Sequence, residues 1–161
     1  MIRSVTRADA ERIAEIYNHY ILHTIITFEE EAVTVDEIAR RIANTQAAKL
    51  PWLVIEEDGV IAGYAYASIW RERAAYRHTA ESSIYLADGY IGRGLGYQLY
   101  QALLLQLKNG GYHAVIGGIS LPNPSSITLH EKFGMSQVAQ MHEVGCKFGR
   151  WIDVGYWQTL L

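Results

Sequence analysis

The sequence predicts a mixed α/β (α+β) protein: a largely antiparallel sheet of about seven strands flanked by about four helices, in the order β α α β β β α β α β β. Three observations carry this. Apolar residues recur at helical spacing in four segments and alternate or run together in seven others. Asp58-Gly59 sits between two β-rich runs, the dipeptide favoured by a two-residue hairpin turn. Gly92, Gly94 and Gly96 stand directly before a long apolar helix.

The elements follow in order. Residues 2–6 (IRSVT) read as a short strand. Thr6 with Asp9 has the form of a capping box, and Ile13, Ile16, Tyr17, Tyr20 and Ile21 keep helical spacing over 7–22. Residues 23–33 have no helical period and read as a loop. Thr34 with Glu37 starts a second helix that runs to about 47, with Ile38 and Ile42 on one face. The hairpin spans 52–70 and another strand 78–87. The helix after the glycines ends at Asn109-Gly110-Gly111. Residues 113–120 form a buried strand, "LPNPSSITLHEKFG" a turn and a short helix, and 136–147 and 150–159 two final strands.

Composition narrows the function. The chain of 161 residues is long enough for one domain, 1–161, with a real core. A net charge of −3 gives no basic field for nucleic acid. The single cysteine, Cys146, excludes an internal disulfide and fits a reducing, cytoplasmic setting. The charged N-terminus reads as neither a signal peptide nor a membrane span. There are no repeats or linkers. His19 and His23 are the only histidines at i, i+4 and have no carboxylate pattern beside them, so no metal is expected.

The glycine run is the strongest chemical signal. Glycine costs stability inside regular structure, so three at alternate positions mark a close backbone approach. Tyr97 stands where a dinucleotide-binding G-x-G-x-x-G needs its last glycine, and no G-K-[ST] follows for a P-loop. A strand, a glycine turn and a helix N-terminus remain: a nest of N–H groups suited to phosphate, with Arg93 at its rim. The ordinary alternative is a tight turn with no ligand. Glu81 lies on an alternating strand and shares a face with Ser83 and Tyr85, not with Ile84 and Leu86. It is either a solvent-facing edge carboxylate or an inward one kept for use. His130 on the short helix is by itself an ordinary helix histidine.

"GRGLG" after a strand ending "IYLAD" resembles the pyrophosphate-binding motif of the GNAT family of N-acetyltransferases, Q/R-x-x-G-x-G/A. Gly94 and Gly96 match, while Ile91 replaces the Gln or Arg; that change removes a side chain and leaves the amides. "IYNHYILHTIITFE", "WRERAAYRHTAESSIYL", "LPNPSSITLHEKFGM" and "VGCKFGRWIDVGYWQ" extend the resemblance over nearly the whole chain. They resemble its phosphinothricin and methionine sulfoximine acetyltransferase branch.

The resemblance implies acetyl-CoA as co-substrate, held by Leu86, Ala87 and Asp88, by Ile91, Gly92, Arg93, Gly94, Leu95, Gly96 and Tyr97, and by Asn123 and Ser126. It implies Glu81 as general base, the Leu86 N–H on the thioester carbonyl, and His130 as general acid or active-site polar group. The implied acceptor is the α-amine of a small amino-acid analogue. Arg73 and Arg77, in the loop before the Glu81 strand, are the candidates for its carboxylate, and Phe28, Tyr76 and Tyr85 either wall a small pocket or pack in the core. Arg77 is the better of the two candidates for the carboxylate, and Trp70 is either pocket wall or core. Trp151 and Trp157 read as core or interface, and the branch is usually a homodimer. Two rivals remain: an acetyltransferase for peptide amines or polyamines, and a non-catalytic acetyl-CoA sensor.

Overall fold

The computed structural model describes residues 1–161. Its elements are β1 (Ile2–Ser4), α1 (Ala10–His23), α2 (Val35–Ala47), β2 (Trp52–Glu57), β3 (Val60–Ile69), β4 (Thr79–Leu86), α3 (Leu95–Asn109), β5 (Ala114–Ser120), α4 (Pro124–Lys132), β6 (Ser136–Lys147) and β7 (Arg150–Leu160). One seven-stranded sheet runs β1-β2-β3-β4-β5-β7-β6, antiparallel everywhere except between β4 and β5.

Local chemistry explains the element ends. A 3₁₀ turn over Arg7–Asp9 precedes α1, so the α-helix starts three residues later than its apolar period suggests. Asp9 accepts from the Thr6 N–H (2.7 Å) and hydroxyl (3.0 Å), and Arg3 grips both its oxygens. The Thr34 hydroxyl caps α2 by accepting from Glu37 N. Asp58 and Gly59 both have positive φ (52° and 77°), as a type I′ turn between β2 and β3 requires.

Each face of the sheet has its own core. On one side α3 presents Leu95, Leu99, Leu103 and Leu107, at one-turn spacing, to Leu53, Ala65, Ala80 and Val115. On the other, Ile13, Ile16 and Ile21 of α1 and Ile38 and Ile42 of α2 cover Val54 and Tyr64. Trp157 joins the first core, whereas Trp151 is 68% exposed. No helix is long and apolar enough to cross a membrane.

The sheet is split at one place, and the split positions the site. β4 and β5 pair only from Thr79↔Ala114 to Glu81↔Ile116, although both strands continue. Beyond Glu81 they part, which leaves backbone groups on both strands without a ladder partner.

Candidate active site

The parted strands enclose a narrow cleft of about 50 Å³. Ser82, Ser83, Ile84 and Tyr85 of β4 line one wall, and Gly118, Ile119 and Ser120 of β5 the other. Asn123, Ser126 and His130 close it from the α4 side, and Ile26 from the α1–α2 connection. The His130 ring lines this cleft, Glu81 stands where the strands part, and the cradle of the glycine turn follows the end of β4.

The cradle lies just past the end of β4. Gly92 (φ 81°) and Gly94 (φ 79°) take the left-handed conformation that side chains resist. Gly94 is the N-cap of α3. From Ile91 to Tyr97 no backbone N–H finds a backbone acceptor; the first that does is Gln98, onto Gly94 O at 3.3 Å. A helix N-terminus normally leaves about four such donors, and the left-handed glycines extend the row. With the dipole of α3 behind it, this concavity fits a polyphosphate. Leu86 begins the approach. Ala87 N donates to Ala62 O (2.8 Å), so by the antiparallel alternation the N–H and C=O of Leu86 point away from β3, into the gap. The Tyr20 hydroxyl takes the Leu86 carbonyl at 2.6 Å, and the Leu86 N–H remains free for a ligand.

Two adjacent glycines of β5 let His130 and Glu81 approach this strand from opposite faces of the sheet. A methyl group on Gly117 would lie 2.6 Å from His130 Nε2. One on Gly118 would lie 3.3 Å from the Tyr156 ring and 3.4 Å from Glu81 Oε1. Glu81 is half-buried and burial alone raises its pKa, since no cation or donor meets its carboxylate. His130 is 4% exposed. Its Nδ1 lies 2.7 Å from the Ser126 carbonyl, which can only accept, so Nδ1 carries the proton and Nε2 the lone pair. Burial lowers its pKa, against the upward pull of that hydrogen bond, and the ring is neutral at pH 7. Beside it Ser82 Oγ and Tyr100 Oη are 2.8 Å apart.

The α1–α2 connection forms the outer wall and is firmly anchored. Ser120 Oγ donates to Ile25 O (2.7 Å), and the buried Lys147 Nζ to Thr27 O (2.8 Å). Tyr17 meets Thr27 Oγ1 and Glu29, and Arg41 grips Glu29 with two bonds. Phe28 packs on Gly145 of β6, where any side chain would collide with its ring. Tyr85 lines the cleft and packs edge-on against Tyr17 and Tyr20.

The other acceptor candidates lie further out. Arg73, Tyr76 and Arg77 are exposed on the β3–β4 connection and do not line the cleft; the Arg77 side chain donates only to Ala74 O, at 3.1 Å. Trp70 opens this connection and packs edge-on against Tyr156, 5.6 Å away, which borders Gly118. Ile91 is exposed. The His19 and His23 rings lie 5.2 Å apart and tilted near the end of α1, and no cluster of metal-ligating side chains is present.

Sequence reasoning missed Gly117, Gly118, Ser82, Tyr100, Tyr20 and Lys147. The glycine pair inside a buried strand was a readable sign of close approach. The others give no local signal, because their partners are far away in the chain.

This geometry accords with the comparisons. Residues 2–155 match the model of the acetyltransferase (GNAT) domain. The chain is 40% identical over 163 residues to the L-amino acid N-acyltransferase MnaT of Escherichia coli, covering 99% of this chain and 93% of that protein. It is 40% identical over 157 residues to the phosphinothricin N-acetyltransferase of Streptomyces viridochromogenes, covering 98% and 85%. A Salmonella typhimurium acetyltransferase solved with acetyl-CoA superposes with a TM-score of 0.97 at 38% identity, over 100% of this chain and 93% of that one. The chain belongs to the GNAT family and is an N-acetyltransferase that uses acetyl-CoA.

Proposed function

We propose that the enzyme acetylates the α-amino group of a small amino-acid analogue of the methionine sulfoximine, methionine sulfone or phosphinothricin type. The amine attacks the thioester directly in a ternary complex, in a reducing, cytoplasmic setting. One observation carries this reading: a half-buried carboxylate with no partner, Glu81, at the point where the sheet opens. A model α-amine has a pKa near 8 and arrives largely as ammonium, which has no lone pair to attack with. Glu81 takes that proton, directly or through a water, and its raised pKa brings it closer to this task.

The amides of Ile91–Tyr97 hold the pyrophosphate, and Asn123 and Ser126 guide the pantetheine arm. The Leu86 N–H donates to the carbonyl oxygen as it gains charge. His130 is proposed as a neutral polar wall and acceptor rather than an acid, because its proton is committed to Ser126 O. Ser82, whose hydroxyl lies at the cleft and is 2.8 Å from the buried Tyr100 hydroxyl, is the donor proposed for the departing thiolate. Phe28 and Tyr85 wall the acceptor, and the β3–β4 connection with Arg73, Tyr76 and Arg77 closes toward its carboxylate. The exposed β6 edge supports a homodimer as the working form.

The test is thiol release from acetyl-CoA with L-methionine sulfoximine, L-methionine sulfone, L-phosphinothricin, spermidine and a lysine peptide. Turnover is expected with the first three only; turnover confined to the last two overturns the acceptor assignment. In Glu81→Gln, kcat is expected to fall by about 10²- to 10⁴-fold with acetyl-CoA affinity retained. An unchanged kcat removes Glu81 from the mechanism.

A further inference from the structure

Arg93 stands between the two left-handed glycines of the cradle, and its guanidinium is already occupied. Nη2 lies 2.7 Å from Glu57 Oε2, and Cζ lies 5.3 Å from the centre of the Tyr90 ring. Glu57 is the last residue of β2, beside the Asp58-Gly59 turn. The contact is close but misaligned: Oε2 is shut off from water and forms no hydrogen bond. Arg93 is its one cationic neighbour, and half of that side chain is exposed.

We propose that Glu57 competes with a phosphate of the cofactor for Arg93, and so limits how tightly CoA is held. The inference rests on the reading of the glycine turn as the cofactor's phosphate site. The contact with Glu57 is poorly aligned and makes no hydrogen bond, so it is the weaker partner for Arg93. A guanidinium on a phosphate forms paired, charge-assisted hydrogen bonds that are considerably stronger. Arg93 therefore exchanges partners when CoA arrives. The exchange takes the cation away from a carboxylate oxygen that is buried and makes no hydrogen bond, close to a polyanion, and that cost is subtracted from CoA affinity. An enzyme that must release CoA in every cycle benefits from such a brake.

The experiment is calorimetric titration of the full chain with CoA and with acetyl-CoA. Glu57→Gln keeps the shape and removes the charge. It is expected to lower Kd by about three- to ten-fold, and to have no effect when Arg93→Gln is already present. Asp58→Asn removes the same charge one residue away and is expected to leave Kd unchanged. Dephospho-CoA identifies the phosphate: a gain that persists assigns Arg93 to the pyrophosphate, and a gain that disappears assigns it to the 3′-phosphate.

An unchanged or raised Kd in Glu57→Gln overturns the proposal and makes Glu57 a brace for the turn. An equal gain in the Arg93→Gln background, or in Asp58→Asn, also overturns it, since the effect is then one of general charge. Wild type that binds no CoA refutes the phosphate-site reading itself.

Discussion

In the proposed mechanism Glu81 joins function and stability in a single side chain. Burial raises its pKa above the usual 4.5, so the folded protein holds this proton more tightly than the unfolded chain. The stabilising effect of that proton is full below the unfolded pKa and is lost as pH rises through the folded one. At about pH 8 the bare carboxylate is therefore a cost to the fold. Glu81→Gln is expected to raise Tm at that pH while lowering turnover, and the gain should vanish toward pH 4. Wild-type kcat/KM should fall on the acid side with an apparent pKa above the ordinary carboxylate value. A variant less stable than wild type at pH 8 would show that the carboxylate is paired. The two-residue period placed Glu81, Ser83 and Tyr85 on one face, and the structure keeps them there. The period does not reveal that β5 turns away after Ile116 and leaves Glu81 at an opening. That knowledge requires the partner strand, as do the roles of Lys147 and Glu57.

At the scale of elements, punctuation was more legible than pairing. Thr34 and Glu37, Asp58-Gly59 and the glycine turn each fix a boundary by chemistry within about four residues. The start of α1 is different, because its cap is completed from outside. Arg3 of β1 holds Asp9 through Oδ2 at 2.8 Å and Oδ1 at 2.9 Å, and also meets Glu56 of β2. The bond to Arg3, opposed by burial and assisted by Thr6, brings the Asp9 pKa down to about 2 from 3.8. A depressed carboxyl pKa contributes stability above the unfolded value, and that contribution is lost as pH falls through the folded one. Asp9→Asn is expected to cost about 1–2 kcal/mol near neutral pH, with Arg3 partly exposed and the pair accordingly discounted. Denaturant titrations of both proteins should converge between pH 3.8 and 2. A constant gap over that range would mean that packing, and not charge, fixes this corner.

The whole molecule ends in an unprotected edge. β6 is twelve residues long and pairs only with β7. Val138, Met141, Val144, Phe148 and Trp151 on this hairpin are all exposed. Long edge strands with exposed apolar side chains are normally covered. The bulge at Glu143, whose N–H donates to Asp153 at 2.8 Å, bends the edge without covering it. A second copy of the chain is the occupant that the homodimer reading supplies. Because Phe28 rests on Gly145 of β6, that interface would support the acceptor wall from behind. Sedimentation equilibrium is expected to give twice the 18.1 kDa of the chain at micromolar concentration. Val144→Lys with Trp151→Glu should shift the protein to monomer. The same pair should raise KM for the amine by several-fold and leave KM for acetyl-CoA unchanged, since the phosphate cradle lies beyond β4, on the far side of β5 and β7 from this edge. A wild-type monomer would reject the homodimer, and a dimer that survives both substitutions would place its interface on another face. Equal changes in both KM values would instead show that the hairpin supports the entire sheet, which would separate the edge from any particular role in acceptor binding.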